Sequence, residues 1–101
     1  MNEMPQRTTV GIPWFIREDY DTFRLLVPHR AWHTTFDQWL AAATQVLDQQ
    51  QRAGVLVFKV EVQSDAFALW CQDTVRRTDR QALLDYANMF ARGLLAANDG
   101  H

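Results

Sequence analysis

His29 and His33 stand four residues apart. On a helix that spacing puts two imidazoles on one face, where they can share a zinc ion. Here Pro28 precedes the pair, and the next helical pattern begins only near Phe36. The spacing therefore falls in a loop, which does not fix it. Zinc needs at least three protein ligands, and the nearest acid, Asp37, lies outside the loop. No metal site and no cofactor is expected.

Cys71 is the single cysteine. A thiol becomes a nucleophile when an exposed, electropositive setting lowers its pKa. His29 or His33 could supply that setting through the fold, which makes a small enzyme subunit one alternative reading. However, Cys71 follows Leu69 and Trp70 on an apolar stripe, and free cysteine is among the most buried residue types. The expected thiol is inert, and the balance leans away from an enzyme. No Gly-rich phosphate loop, His-Glu-x-x-His run, nucleophile elbow or paired-cysteine motif is present.

Arg76, Arg77 and Arg80 cluster at a helix start, and such a cluster can contact phosphates. Asp73 and Asp79 flank it and reduce its local charge. It has no interleaved aromatics on which bases could stack. The chain carries 10 basic and 12 acidic residues, a formal net charge of −2. A regulatory nucleic-acid binder acting through these arginines is the second alternative, and the charge balance argues against it.

These groups are positioned by one domain, because 101 residues leave no room for two. Hydrophobic residues make up 48% of the chain, too many for a disordered one. A single cysteine cannot form an internal disulfide. The start, Met-Asn-Glu-Met-Pro-Gln-Arg, has no apolar stretch of a signal peptide. No apolar run approaches the ~18–20 residues of a membrane span. A cytoplasmic protein with no membrane association is the expectation.

Residues 1–12 are polar, with Pro5 and Gly11, and read as a flexible N-terminal arm. Residues 13–97 form the single globular domain, and 98–101 a frayed tail. Ile16, Tyr20, Phe23 and Val27 follow helical spacing, so a short helix is expected at 17–26, closed by Pro28. A strand over Thr22–Val27 is the rival. Thr35 and Gln38 make a capping box for a helix at 36–53. Gly54 offers the left-handed residue that stops it. Ser64 is the expected N-cap of a helix at 65–73. Thr78 with Gln81 reads as a second capping box, opening a helix at 79–96. Trp39, Leu40, Leu47, Phe58, Trp70 and Phe90 are expected to be buried.

The only clear strand is 55–62, Val-Leu-Val-Phe-Lys-Val-Glu-Val. Leu56, Phe58, Val60 and Val62 form an apolar face; Val57, Lys59 and Glu61 lie on the other. A strand left with unpaired backbone groups is costly. It pairs either with a weak N-terminal segment, Thr8–Ile12 or Thr22–Val27, or across a homodimer. Two-fold symmetry would make a dimer pairing antiparallel, with Lys59 near Glu61 of the second copy. Trp14 and Trp32, in extended segments beside Pro13 and Pro28, complete the interaction candidates.

Four segments together carry a resemblance: Pro13-Trp14-Phe15 with Arg17-Glu18-Asp19-Tyr20, Thr35-Phe36-Asp37-Gln38-Trp39-Leu40, the strand after Ala53-Gly54, and Asp65-Ala66-Phe67-Ala68-Leu69-Trp70-Cys71. Over about residues 13–91 the chain resembles a group of small uncharacterised bacterial proteins with a valine-rich strand and a Phe-x-x-Trp-Cys helix. That group has no known activity, so the resemblance implies a fold unit and no chemistry. Its pattern carries a Gly in the 74–77 connection, where this chain has Thr74-Val75-Arg76-Arg77. The resulting expectation is a small, mostly helical α+β domain. Its biochemical function is unknown, and the best reading is a non-enzymatic, self-associating interaction module.

Overall fold

The computed structural model describes residues 9–98. It is an α+β domain of four helices and a two-stranded parallel sheet. Strand β1 spans Thr9–Trp14, helix α1 Tyr20–Leu26, helix α2 Phe36–Arg52, strand β2 Leu56–Glu61, helix α3 Ser64–Asp73 and helix α4 Arg80–Asn98. A single 3-10 turn, Arg17–Asp19, leads into α1. No helix among the described residues is long and apolar enough to cross a membrane.

The partner of β2 lies within the chain. Residues 9–12, expected in the arm, belong to β1, and 13–14 complete it; residues 1–8 and 99–101 lie outside the described residues. The strands pair parallel, with Thr9 beside Leu56 and Trp14 beside Glu61. Parallel neighbours need a long crossover, which the turn, α1 and α2 provide. The rival strand over Thr22–Val27 does not form, because Thr22–Leu26 lies in α1.

Each face of the sheet meets a helix. Thr9, Gly11 and Pro13 share one face with Leu56, Phe58 and Val60. Helix α4 packs there so closely that a Cβ on Gly11 would lie 2.3 Å from the Ala87 carbonyl oxygen. The approach is possible because the α4 stripe is small: Ala82, Ala87 and Ala91 are buried with Leu83 and Tyr86. Phe90, expected in the core, is instead 45% exposed, and so is Leu94. Phe90 lies at the margin of the buried stripe, its ring edge-on to Tyr86 at 5.0 Å between centres. Phe58, Leu40, Leu47 and Trp70 are half-buried, and only Trp39 of the expected set is fully buried.

Helix α2 covers the other face, where Trp39 meets the Trp14 ring edge-on at 5.2 Å. Phe15 then sits among Phe23, Trp32 and Trp39, at 4.9, 5.2 and 5.0 Å between ring centres. Tyr20 joins this cluster and donates its hydroxyl to the His33 carbonyl at 2.8 Å. Buried aromatic area of this kind dominates the energetics of small cores.

The helix ends follow local chemistry, with two corrections. Thr35 and Gln38 form the expected capping box, and Gly54 takes φ +84° after α2. The second box does not form: the Asp79 side chain accepts the Ala82 amide at 2.9 Å, one residue beyond Thr78. Aspartate is a strong cap and preempts the threonine. Ser64 is also not the cap of α3; Gln63 holds that position. The Ser64 amide and hydroxyl both donate to the Asp19 carboxylate, at 2.7 and 2.6 Å. An acid from a distant turn thus serves the positive end of α3.

Candidate functional site

The two outer edges of the sheet differ, and the backbone shows how. The Val62 amide donates to the Trp14 carbonyl at 3.1 Å. Strand amides alternate sides, so Leu56, Phe58 and Val60 also turn their backbone groups toward β1, while Val57, Lys59 and Glu61 turn theirs away. In β1 the same alternation sends Thr9, Gly11 and Pro13 outward. There the Gly11 amide donates to Asn88 Oδ1 at 2.8 Å, and Pro13 has no N–H to offer. The β1 edge is closed by one side chain and one proline. The β2 edge has no strand beside it among the described residues.

Lys59 and Glu61 are exposed on this open edge, and Val57 is half-buried. The Lys59 ammonium lies 4.7 Å from the centre of the Trp14 ring, a cation–π contact across the two strands. Trp14 is half-buried between Lys59 and Trp39. Three of the interaction candidates, Val57, Lys59 and Glu61, thus line one backbone row, with Trp14 beside it.

Trp32 belongs elsewhere. Its indole N–H donates to the Val27 carbonyl at 2.7 Å, and its ring supports Arg30, whose guanidinium carbon lies 4.5 Å from the ring centre. Sequence reasoning missed Arg30. It was masked by the neighbouring histidines, and only the fold shows it half-buried against Phe15 and Trp32. Burial pushes its pKa below the usual arginine range, and Arg80 adds to that shift.

The groups with conventional chemical potential are dispersed. Cys71 is 1% exposed on α3. Burial pushes its thiol up, and the charges acting on it are those of Arg76 and Asp79. His29 and His33 are exposed in the loop after α1. No group of three His, Cys, Asp or Glu residues arranged to hold a metal occurs among the described residues. Arg76 is engaged with Asp85 and stacks at 5.0 Å over Trp70, while Arg77 and Arg80 are exposed.

No protein-family model matches this chain, and no curated protein or solved structure matches it either.

Proposed function

We propose that the protein is a self-associating interaction module whose open β2 edge pairs with that of a second copy. The observation that carries this reading is the asymmetry of the two edges. Asn88 and Pro13 blunt β1, as native proteins do for edges that must stay unpaired. Among the described residues no strand, proline or capping side chain meets the outward backbone row of Val57, Lys59 and Glu61, although its exposed charges restrict what can pair there. A two-stranded sheet is also marginal by itself, and a second copy extends it to four strands.

The charges choose a register. Two-fold symmetry makes the β2–β2 pairing antiparallel. Pairing centred on Val60 sets Lys59 opposite Glu61 of the second copy, and Glu61 opposite its Lys59. Pairing centred on Lys59 would oppose two lysines. Opposite charges across strands favour pairing, and like charges oppose it.

The test is sedimentation over a wide concentration range with charge-reversed chains. Lys59→Glu alone and Glu61→Lys alone should each associate less than the wild type, and an equimolar mixture of the two should recover association. Val57→Pro removes an outward donor and leaves the β1 ladder intact, so it should weaken the dimer while preserving the fold. A wild type that is monomeric at every concentration would refute the reading.

A further inference from the structure

We infer that Arg30 anchors a binding site for a small organic carboxylate, in a groove separate from the open β2 edge. The groove, of about 190 Å³, runs between β1, the loop after α1 and α2. Pro13, Trp39, Ala43 and Val46 supply apolar walls, and Arg30 and His33 also line it. It is smaller than the roughly 300–1,000 Å³ typical of drug-sized sites, so it suits a small acid and not a peptide or a helix.

The state of the Arg30 side chain motivates the choice of ligand. Phe15 and Trp32 lie 5.3 and 4.5 Å from its guanidinium carbon and hold it from the side of their rings. Stacked contacts of this kind do not use the in-plane N–H fork, which matches a carboxylate in two parallel hydrogen bonds. Among the described residues Arg30 has no ion pair, and nothing accepts a hydrogen bond from its guanidinium. Arg17, Arg24, Arg52 and Arg76 form the ion pairs among the described residues, and Arg77, Arg80 and Arg92, which form none either, are exposed where Arg30 is half-buried. Arg30 is a half-buried cation for which burial is the main cost, and a bound anion would relieve it. The apolar walls favour an anion with an apolar body over a fully hydrated one.

The test titrates benzoate into the full chain and follows the Arg30 side-chain N–H and the Ala43 amide by NMR. Benzyl alcohol is the neutral counterpart, and inorganic phosphate the anion without an apolar body. The expected result is a saturable shift at both positions with benzoate, and none with the other two at equal concentration. Arg30→Gln should weaken benzoate binding about tenfold or more, as loss of a charged hydrogen-bond pair does. Ala42→Leu, which fills the groove and leaves Arg30 in place, should abolish it. An equal response to benzyl alcohol or to phosphate, an absent response to benzoate, or full binding by Arg30→Gln would overturn the assignment. The comparison of the three probes uses the unaltered chain, so it decides the matter even if a variant fails to fold.

Discussion

Asn88 closes the backbone of Gly11: the side-chain oxygen of α4 accepts the strand amide at 2.8 Å. The contact exists because Gly11 lacks a Cβ, which would meet the Ala87 carbonyl at 2.3 Å. Asn88→Ala should leave a partly buried amide without its partner, costing ~1–3 kcal/mol. Gly11→Ala forces backbone apart and should cost ~3 kcal/mol or more. Denaturant midpoints at constant m-value check both. A neutral Gly11→Ala would place α4 farther from β1 than described.

The Asp19 carboxylate receives both the amide and the hydroxyl of Ser64. It joins the turn before α1 to the start of α3, 45 residues away. Asp19→Ala should destabilise by ~1.5–3 kcal/mol, the range for hydrogen bonds to a charged group. Ser64→Ala removes only the hydroxyl contact and should cost less. A double-mutant cycle should show the two substitutions to be non-additive; strict additivity would mean the contact is not made in solution.

Val75 is a β-branched residue at φ +56° and is 92% exposed. It closes α3 in a Schellman arrangement, with the Arg76 amide on the Cys71 carbonyl and the Val75 amide on the Gln72 carbonyl. Glycine is the usual residue there, because a Cβ costs ~1–2 kcal/mol in the left-handed region. Added chain entropy in the unfolded state offsets part of that gain. Val75→Gly should therefore stabilise by ~0.5–1 kcal/mol, read from the thermal midpoint. The exposed side chain has little packing to lose, so a net destabilisation would show that Val75 makes contacts beyond this chain.

Hydrogen bonds from Arg76 and then Gln81 hold the Asp85 carboxyl below the ordinary carboxylate range. A folded-state pKa that is depressed contributes stability above the unfolded value, near pH 4. That contribution disappears as pH falls through the folded value. Asp85→Asn should flatten the acid limb of the thermal midpoint against pH below about 4 and leave its shape near neutrality unchanged. Identical acid limbs for the two proteins would show that the Arg76 contact does not persist in solution.

The sequence alone determined the elements whose signals are local. Thr35, Gln38 and Gly54 bound α2 because capping and left-handed closure depend on neighbours within a turn. The alternation over Val55–Val62 marked β2, and the Phe67–Cys71 stripe marked the buried thiol. The missing glycine near residue 75 was visible too, and the structure shows how valine fills that place. The tertiary structure decided what depends on approach between distant segments. Thr9–Trp14 has a weak strand pattern, broken by Gly11 and Pro13, and became β1 because α4 lies against Gly11. The close contact at Gly11 likewise put Ala87 and Ala91 against β1, and Phe90, farther along the same stripe, is left partly exposed beside Tyr86. Asp19 displaced Ser64 from its expected capping role by a bond spanning 45 residues. Which sheet edge carries no strand among the described residues, and that Arg30 is half-buried without an ion pair, are properties of surfaces meeting, and periodicity along one chain does not encode them.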